Sequence, residues 1–343
     1  FFFDLSAWLQ LCKDDGFLQQ QLPKFSTTLN MWPEKIFQAF HVSVVFGLIG
    51  WIALSYQWCL VKGLLQHGHW FVGGVCGFGC TVFMGLLLCN YIHCLTSDPG
   101  YVNAHWEHDA VARHKLSGRL LSSLEVPIQE VLHTNGQSGR DPDPLPFHRH
   151  MILEYKRNGK VRYCRKCRLF KPDRAHHCSE CNRCVLKMDH HCPWTNNCIG
   201  FKTYKYFLNF LLYIAVSALW LNGTACYVLL HQEFYLGKTV PHVFNLVLSL
   251  VFAAALGVGL GAFLIYHLHM VIHNRSTIED LEKTPSNRWN LGWKKNFMQV
   301  FGSNCWLWFL PVPNSIGDGF IFPASPQGFS AAENHSSFHA DLV

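Results

Sequence analysis

Four stretches of the chain contain no Asp, Glu, Lys or Arg: Ile36 to Leu60, Trp70 to Leu95, Phe207 to Leu230 and Val243 to Ile272. Each spans the roughly 20 residues that an α-helix needs to cross a bilayer. Buried helices of a large soluble core are the competing reading, but four uncharged segments of that length rarely coexist in a globular chain. Within hydrocarbon a helix satisfies its own backbone hydrogen bonds. The pattern therefore predicts an α-helical integral membrane protein with four transmembrane helices. Composition agrees, since half of the 343 residues are hydrophobic and only 15% are charged, against about 25% in soluble domains. Gly47, Gly50, Gly73, Gly74, Gly77, Gly79, Gly257, Gly259 and Gly261 fall inside the runs. Such residues weaken soluble helices but let membrane helices approach closely.

Of the 28 Lys and Arg residues, 17 lie from Arg113 to Lys202, whereas the loop after the first run holds only Lys62 and the loop after the third only Lys238. This asymmetry predicts that both termini and the long central loop face the cytosol. A formal net charge of +6 then describes a basic face suited to a lipid bilayer with anionic headgroups and to anionic cofactors. Nucleic acid is the other partner that positive charge suggests, but basic residues beside membrane helices are what orientation alone requires. The chain divides into an N-terminal cytosolic segment (1–35), helices 1 and 2 (36–95), a cytosolic linker (96–160), a cysteine-rich domain (161–202), helices 3 and 4 (203–272) and a cytosolic tail (273–343). The stretch "TNGQSGRDPDPLP" in the linker reads as flexible, and no internal repeat is evident beyond the Cys-x-x-Cys spacing.

Seven of the 15 cysteines fall between Cys164 and Cys198, interleaved with His176, His177, His190 and His191. In the reducing cytosol disulfides are disfavoured, and paired Cys-x-x-Cys spacings with interspersed histidines match closed structural zinc sites. Two zinc ions need eight donors, and seven thiols plus four imidazoles leave three over. Spacing alone leaves open which three.

The stretch "HHCSECNRCVLKMDHHCPWTNNCIG" resembles the cysteine-rich domain of the DHHC family of membrane protein S-acyltransferases. "TSDPG" at 96–100, just after the second helix, is similar to the family's Asp-Pro-Gly motif. "STIE" at 276–279, just after the fourth, is similar to its Thr-Thr-x-Glu motif, with Ser276 in place of the first Thr. Asn296 in "NLGWKKNFMQVFG" matches a C-terminal motif, and "LPVPNSIGDGFIFP" looks like one subgroup's tail. The resemblance thus runs from residue 98 to about 323. It implies that Cys164, Cys167, His177 and Cys184 bind one zinc and that Cys178, Cys181, His191 and Cys198 bind the other. His176, His190 and Cys192 remain. The resemblance then assigns Cys192 as nucleophile, His190 as general base and Asp189 as the acid that orients the imidazole. His176 is left as an ordinary polar residue. Asp98, Thr277, Glu279 and Asn296 are implied as supports, and Trp194 and Ser217 as residues toward the acyl-CoA.

The implied activity is that of a protein S-palmitoyltransferase, with a long-chain acyl-CoA such as palmitoyl-CoA as co-substrate. Its acceptors are cysteines of cytosolic or membrane-associated proteins, and the membrane is that of the Golgi, the ER or the cell surface. Ser217 lies 13 residues beyond Tyr204, roughly 20 Å along the helix axis, among the small residues Ala215 and Ala218, with Tyr213 and Trp220 at helical spacing. That depth suits the methyl end of a sixteen-carbon chain. Arg168, Lys171, Arg174, Lys187, Lys202, Arg275, Lys294 and Lys295 are candidates for phosphate contacts. A non-catalytic membrane scaffold whose zinc module binds a partner is the alternative, but it requires only the eight ligands and has no use for Asp189, His190 and Cys192.

Overall fold

The computed structural model describes residues 31–103, 106, 154, 162–231, 240–282, 288–323 and 325. Residues 1–30, most of the linker and the end of the tail lie outside them. Among the described residues, four helices are long and apolar enough to cross a membrane: Ile36–Gln66, Trp70–Thr96, Tyr204–Leu230 and Val240–His273. The first consists of α1 (Met31–Ser55), a π turn (Tyr56–Val61) and α2 (Lys62–Gln66); the others are α3 (Trp70–Thr96), α4 (Tyr204–His231) and α5 (Val240–His273). Each extends beyond its uncharged run. The first continues past Lys62, and α4 starts at Tyr204 because Lys205, which interrupts the apolar run, finds acceptors in carbonyls of the C-terminal segment.

Helix α4 is the centre of the bundle, packed between α3 and α5. Two close approaches require glycine. A Cβ at Gly79 would meet the Trp220 indole at 2.2 Å, and one at Gly257 would meet the Ala218 methyl at 2.4 Å. Gly47, Gly50, Gly74 and Gly259 have open space around them, so only part of the glycine pattern serves helix packing. Away from the zinc domain, the first helix is tied to its neighbours by polar side chains. Trp51 Nε1 donates to Asn245 Oδ1 at 2.9 Å, Asn245 Nδ2 donates to Ser55 Oγ at 2.9 Å, and Gln57 Nε2 donates to the Gly77 carbonyl at 3.1 Å. In hydrocarbon such groups must pair with one another.

Between α3 and α4 the described residues include six short strands forming three antiparallel hairpins: β1 (Tyr163–Cys164) with β2 (Leu169–Phe170), β3 (His176–Cys178) with β4 (Arg183–Val185), and β5 (His190–Cys192) with β6 (Asn197–Ile199). Two-stranded hairpins this short have no core of their own. After α5 come α6 (Thr277–Leu281) and α7 (Trp293–Phe301), which packs on α5.

Candidate active site and metal centres

The three hairpins are repeats of one another. Equivalent positions recur every 14 residues: Tyr163, His177 and His191; Cys164, Cys178 and Cys192; Cys167, Cys181 and Thr195; Phe170, Cys184 and Cys198. Each hairpin turns through a non-glycine residue with positive φ, Arg168 (54°), Asn182 (50°) and Asn196 (44°). The repeat was missed at the level of sequence because, of these four positions, only that of Cys164, Cys178 and Cys192 keeps one residue type in all three hairpins.

The repeat dictates the clusters. Cys164 and Cys167 of the first hairpin meet His177 and Cys184 of the second, and Cys178 and Cys181 of the second meet His191 and Cys198 of the third. In each set the donor atoms lie within 4.8 Å of one another. The spacing is that of a tetrahedral site: with bonds of about 2.3 Å to sulfur and 2.0–2.1 Å to nitrogen, ligand-to-ligand edges are about 3.6–3.8 Å. Cys164 and Cys167 Sγ are 3.5 and 3.2 Å from His177 Nδ1; Cys178, Cys181 and Cys198 Sγ are 3.6, 3.5 and 3.7 Å from His191 Nδ1. These three-thiol, one-imidazole sets fit two zinc ions. In the first hairpin Tyr163 and Phe170 stand in the His and Cys positions and pack edge to face at 5.1 Å. In the third, Cys192 occupies a first-ligand position, but Thr195 replaces the second thiol and no further hairpin follows among the described residues. Cys192 is therefore left outside both clusters, with the backbone shape of a metal turn around it.

That turn brings together the groups singled out from the sequence. His190 Nδ1 lies 2.7 Å from Asp189 Oδ2. Asp189, buried, also accepts from the Thr277 amide at Oδ1 (2.8 Å) and from the Thr277 hydroxyl at Oδ2 (2.9 Å). Burial would lower the His190 pKa, but hydrogen bonds to Asp189 and Cys192 outweigh it and push it up to about 10. Burial likewise opposes ionisation of Cys192, yet the neighbouring His190 and the Thr195 hydroxyl and amide hold the thiol below its ordinary value. Asp189 is held below the usual carboxylate range despite its burial, chiefly by His190. The pairing thus favours the charged forms of all three groups against their burial. Phe207 of α4 stands edge-on to the His190 ring at 5.3 Å, and His267 of α5 lies beyond it.

The remaining motif residues fasten this turn to the helices. Ser276 caps α6 in a capping box: its hydroxyl accepts from the Glu279 amide at 3.3 Å, and Glu279 accepts from the Ser276 amide at 2.9 Å. A serine hydroxyl thus suffices where the family pattern has threonine. Glu279 also takes two bonds from Arg174, at 2.6 and 2.7 Å. Asp98 closes the turn after α3 by accepting from the Gly100 and Tyr101 amides, both at 2.9 Å, and pairs with Lys202 at 3.1 Å. Through that turn, Val102 N bonds Cys184 O and Leu186 N bonds Gly100 O. Asn296 donates to the Ile272 carbonyl at 2.7 Å, tying α7 to the end of α5. Asn274, not anticipated from the sequence, joins Arg174, Lys187, Trp289 and Gln299. Arg174 and Lys187 are buried in this network and so are removed from the candidate phosphate contacts; burial beside Arg174 pulls the Lys187 pKa down to about 7.

Trp194 is half exposed beside the Cys192 turn; its carbonyl accepts from the Tyr91 hydroxyl at 2.8 Å, and its ring meets His41 of α1 at 4.9 Å. Ser217 is buried, with no partner for its hydroxyl among the described residues. Its expected neighbours diverge: Tyr213 donates to the Phe309 carbonyl and Trp220 packs on α3.

A family model described as DHHC palmitoyltransferase matches residues 157–284. Palmitoyltransferase PFA3 of Yarrowia lipolytica is 30% identical over 332 residues, covering 84% of this chain and 77% of the relative. The chain belongs to the DHHC palmitoyltransferase family. Palmitoyltransferase pfa3 of Schizosaccharomyces pombe is 39% identical over 189 residues, 53% of this chain and 56% of its own length. Palmitoyltransferase ZDHHC15 of Rattus norvegicus is 43% identical over 175 residues, 48% and 51% of the two chains. In those two comparisons the match spans only about half of the relative. The shared region contains the hairpins and both metal clusters.

Proposed function

We propose that the chain transfers a long-chain fatty acyl group from acyl-CoA to protein cysteines through an acyl-Cys192 intermediate, on the cytosolic face of an intracellular or surface membrane. The observation that carries this reading is the Asp189–His190 bond of 2.7 Å beside Cys192, the cysteine of the third hairpin that is left out of both metal clusters. Bound zinc would supply rigidity, fixing the hairpins through Cys164, Cys167, His177 and Cys184 and through Cys178, Cys181, His191 and Cys198.

In the first step His190 takes the Cys192 proton, and the thiolate attacks the thioester carbonyl of acyl-CoA. A new carbon–sulfur bond forms, the bond to the CoA sulfur breaks, and the CoA thiolate leaves with the proton from His190. In the second step His190 takes the proton of the acceptor thiol, whose sulfur attacks the acyl-Cys192 carbonyl and releases Cys192. Both steps exchange one thioester for another. Asp189, held by Thr277, keeps the His190 proton on Nδ1 and so leaves Nε2 as the base. In this reading Trp194, whose ring meets His41 of α1, would flank the start of the acyl chain, and the buried Ser217 of α4 would face its far end. The readout is hydroxylamine-sensitive labelling of the purified chain by labelled palmitoyl-CoA. Label that is absent while both metals are bound would favour the non-catalytic scaffold.

A further inference from the structure

Helix α4 carries Lys205, Asn209 and Tyr213 at intervals of one turn, a row of polar groups along a membrane helix. All three reach the same neighbour, the segment 304–313 that follows α7. Lys205 Nζ donates to the carbonyls of Leu307 at 2.7 Å and Val312 at 2.9 Å, Asn209 Nδ2 to Trp308 O at 3.0 Å, and the Tyr213 hydroxyl to Phe309 O at 2.8 Å. The segment is one short 3-10 turn, Cys305–Leu307, followed by irregular chain with Pro311 and Pro313, so its own backbone leaves carbonyls in need of donors.

Lys205 and Tyr213 are eight residues apart, about 12 Å of helix axis. The segment therefore runs from the zinc-domain end of α4 down to hydrocarbon depth. Irregular backbone is tolerated at that depth only where protein satisfies its polar groups, which is what the three side chains do. The outer edge is the opposite in character: Trp306 is 85% exposed, Phe309 52% and Leu310 41%. Above it, α7 exposes Trp293 and the basic pair Lys294 and Lys295.

We propose that residues 304–313 form a re-entrant wedge, clasped by Lys205, Asn209 and Tyr213, whose Trp306, Phe309 and Leu310 edge lies among lipid acyl chains. Two features select lipid as the occupant. The wedge follows a membrane-spanning helix over the depth of one leaflet, and the cationic pair above it complements anionic headgroups. The wedge anchors α7, and with it Asn296, to the bilayer, so the tail that braces the end of α5 is held at membrane level.

The test uses the full chain in phosphatidylcholine nanodiscs, with a fluorescent non-natural residue at position 306 or, in a second protein, 309, and at 294 as the aqueous control. Bromine-labelled acyl chains and aqueous iodide serve as quenchers. The wedge requires loss of emission with brominated lipid and shielding from iodide at 306 and 309, and the reverse at 294. Quenching by iodide alone at 306 and 309 overturns it, and shielding from both quenchers overturns it in favour of a protein partner or a second copy. Tyr213→Phe and Asn209→Leu, each removing a single donor, should shift the 306 probe toward iodide. An unchanged probe would show that the clasp does not seat the segment.

Discussion

Replacing Asp189 with asparagine removes a charge but almost no volume, and its outcome is fixed by one backbone amide. Thr277 N donates to Asp189 Oδ1. A backbone N–H can only donate, so in Asp189→Asn the amide oxygen stays at that position and the new NH2 turns toward His190 Nδ1. The imidazole must then accept at Nδ1 and carry its proton on Nε2, the nitrogen needed as base. The charge-assisted bond is lost as well, worth about 1.5–3 kcal/mol. The wrong tautomer lowers kcat about 10⁴-fold in the serine-protease triad, but a thiol ionises more readily than a serine hydroxyl. The expected loss here is about 100- to 1000-fold in acyl-enzyme formation, or about 3–4 kcal/mol of transition-state stabilisation. The assay is single-turnover acylation with labelled palmitoyl-CoA, beside metal analysis. Alkylation of Cys192 gives the ionisation directly. In the wild type the thiolate appears below the ordinary thiol range because the His190 cation favours it, so alkylation should persist as pH falls below that range. In Asp189→Asn the alkylation midpoint should move up. Acylation within about threefold of wild type, or an unmoved midpoint with both metals bound, would refute the orienting role of Asp189.

Cys192→Ser should abolish acyl-enzyme formation and keep two zinc ions per chain, whereas Cys198→Ser should lose metal and lower the melting temperature, since one thiolate opens a tetrahedral site; metal analysis and thermal unfolding separate them. His190→Ala should hold its metal and slow acyl transfer by about 100-fold or more, while His191→Ala should behave as a ligand variant; reversed phenotypes would exchange the two roles. Ser217→Tyr adds a bulky ring on the inward face of α4 and should shift preference among acyl-CoAs of graded length toward shorter chains; an unchanged profile would remove Ser217 from chain selection.

The membrane class was legible in the sequence because absence of charge over 20 residues is a local property. Helix ends were less so. A boundary drawn at a charge stops at Lys205, yet the helix includes it, because four carbonyl bonds to Lys205, Asn209 and Tyr213 come from a segment about 100 residues away. The cysteine-histidine block announced metal through its local spacing, but the division of ligands rested on resemblance until the 14-residue register of the hairpins gave it a structural reason. Thr195 drew no notice for the same reason: its meaning lies in standing where Cys167 and Cys181 stand in the other hairpins. Arg174 and Lys187 read as candidate phosphate contacts because nothing local announces Asn274 and Glu279, which are 87 to 105 residues away and pair with them in the interior. Thr277 was marked by its motif, though its contact with Asp189 spans 88 residues and exists only in the fold.

The role of Cys192 as carrier is tested most directly by a pulse and chase on the purified full chain. The protein is loaded with labelled palmitoyl-CoA, freed of donor, mapped by peptide mass spectrometry and then given an acceptor cysteine peptide. Label should be found on Cys192, be removed by hydroxylamine, and pass to the acceptor at the rate it leaves the enzyme. Label that reaches the acceptor without ever residing on Cys192, or that stays on Cys192 during the chase, would contradict a two-step transfer through this thiol.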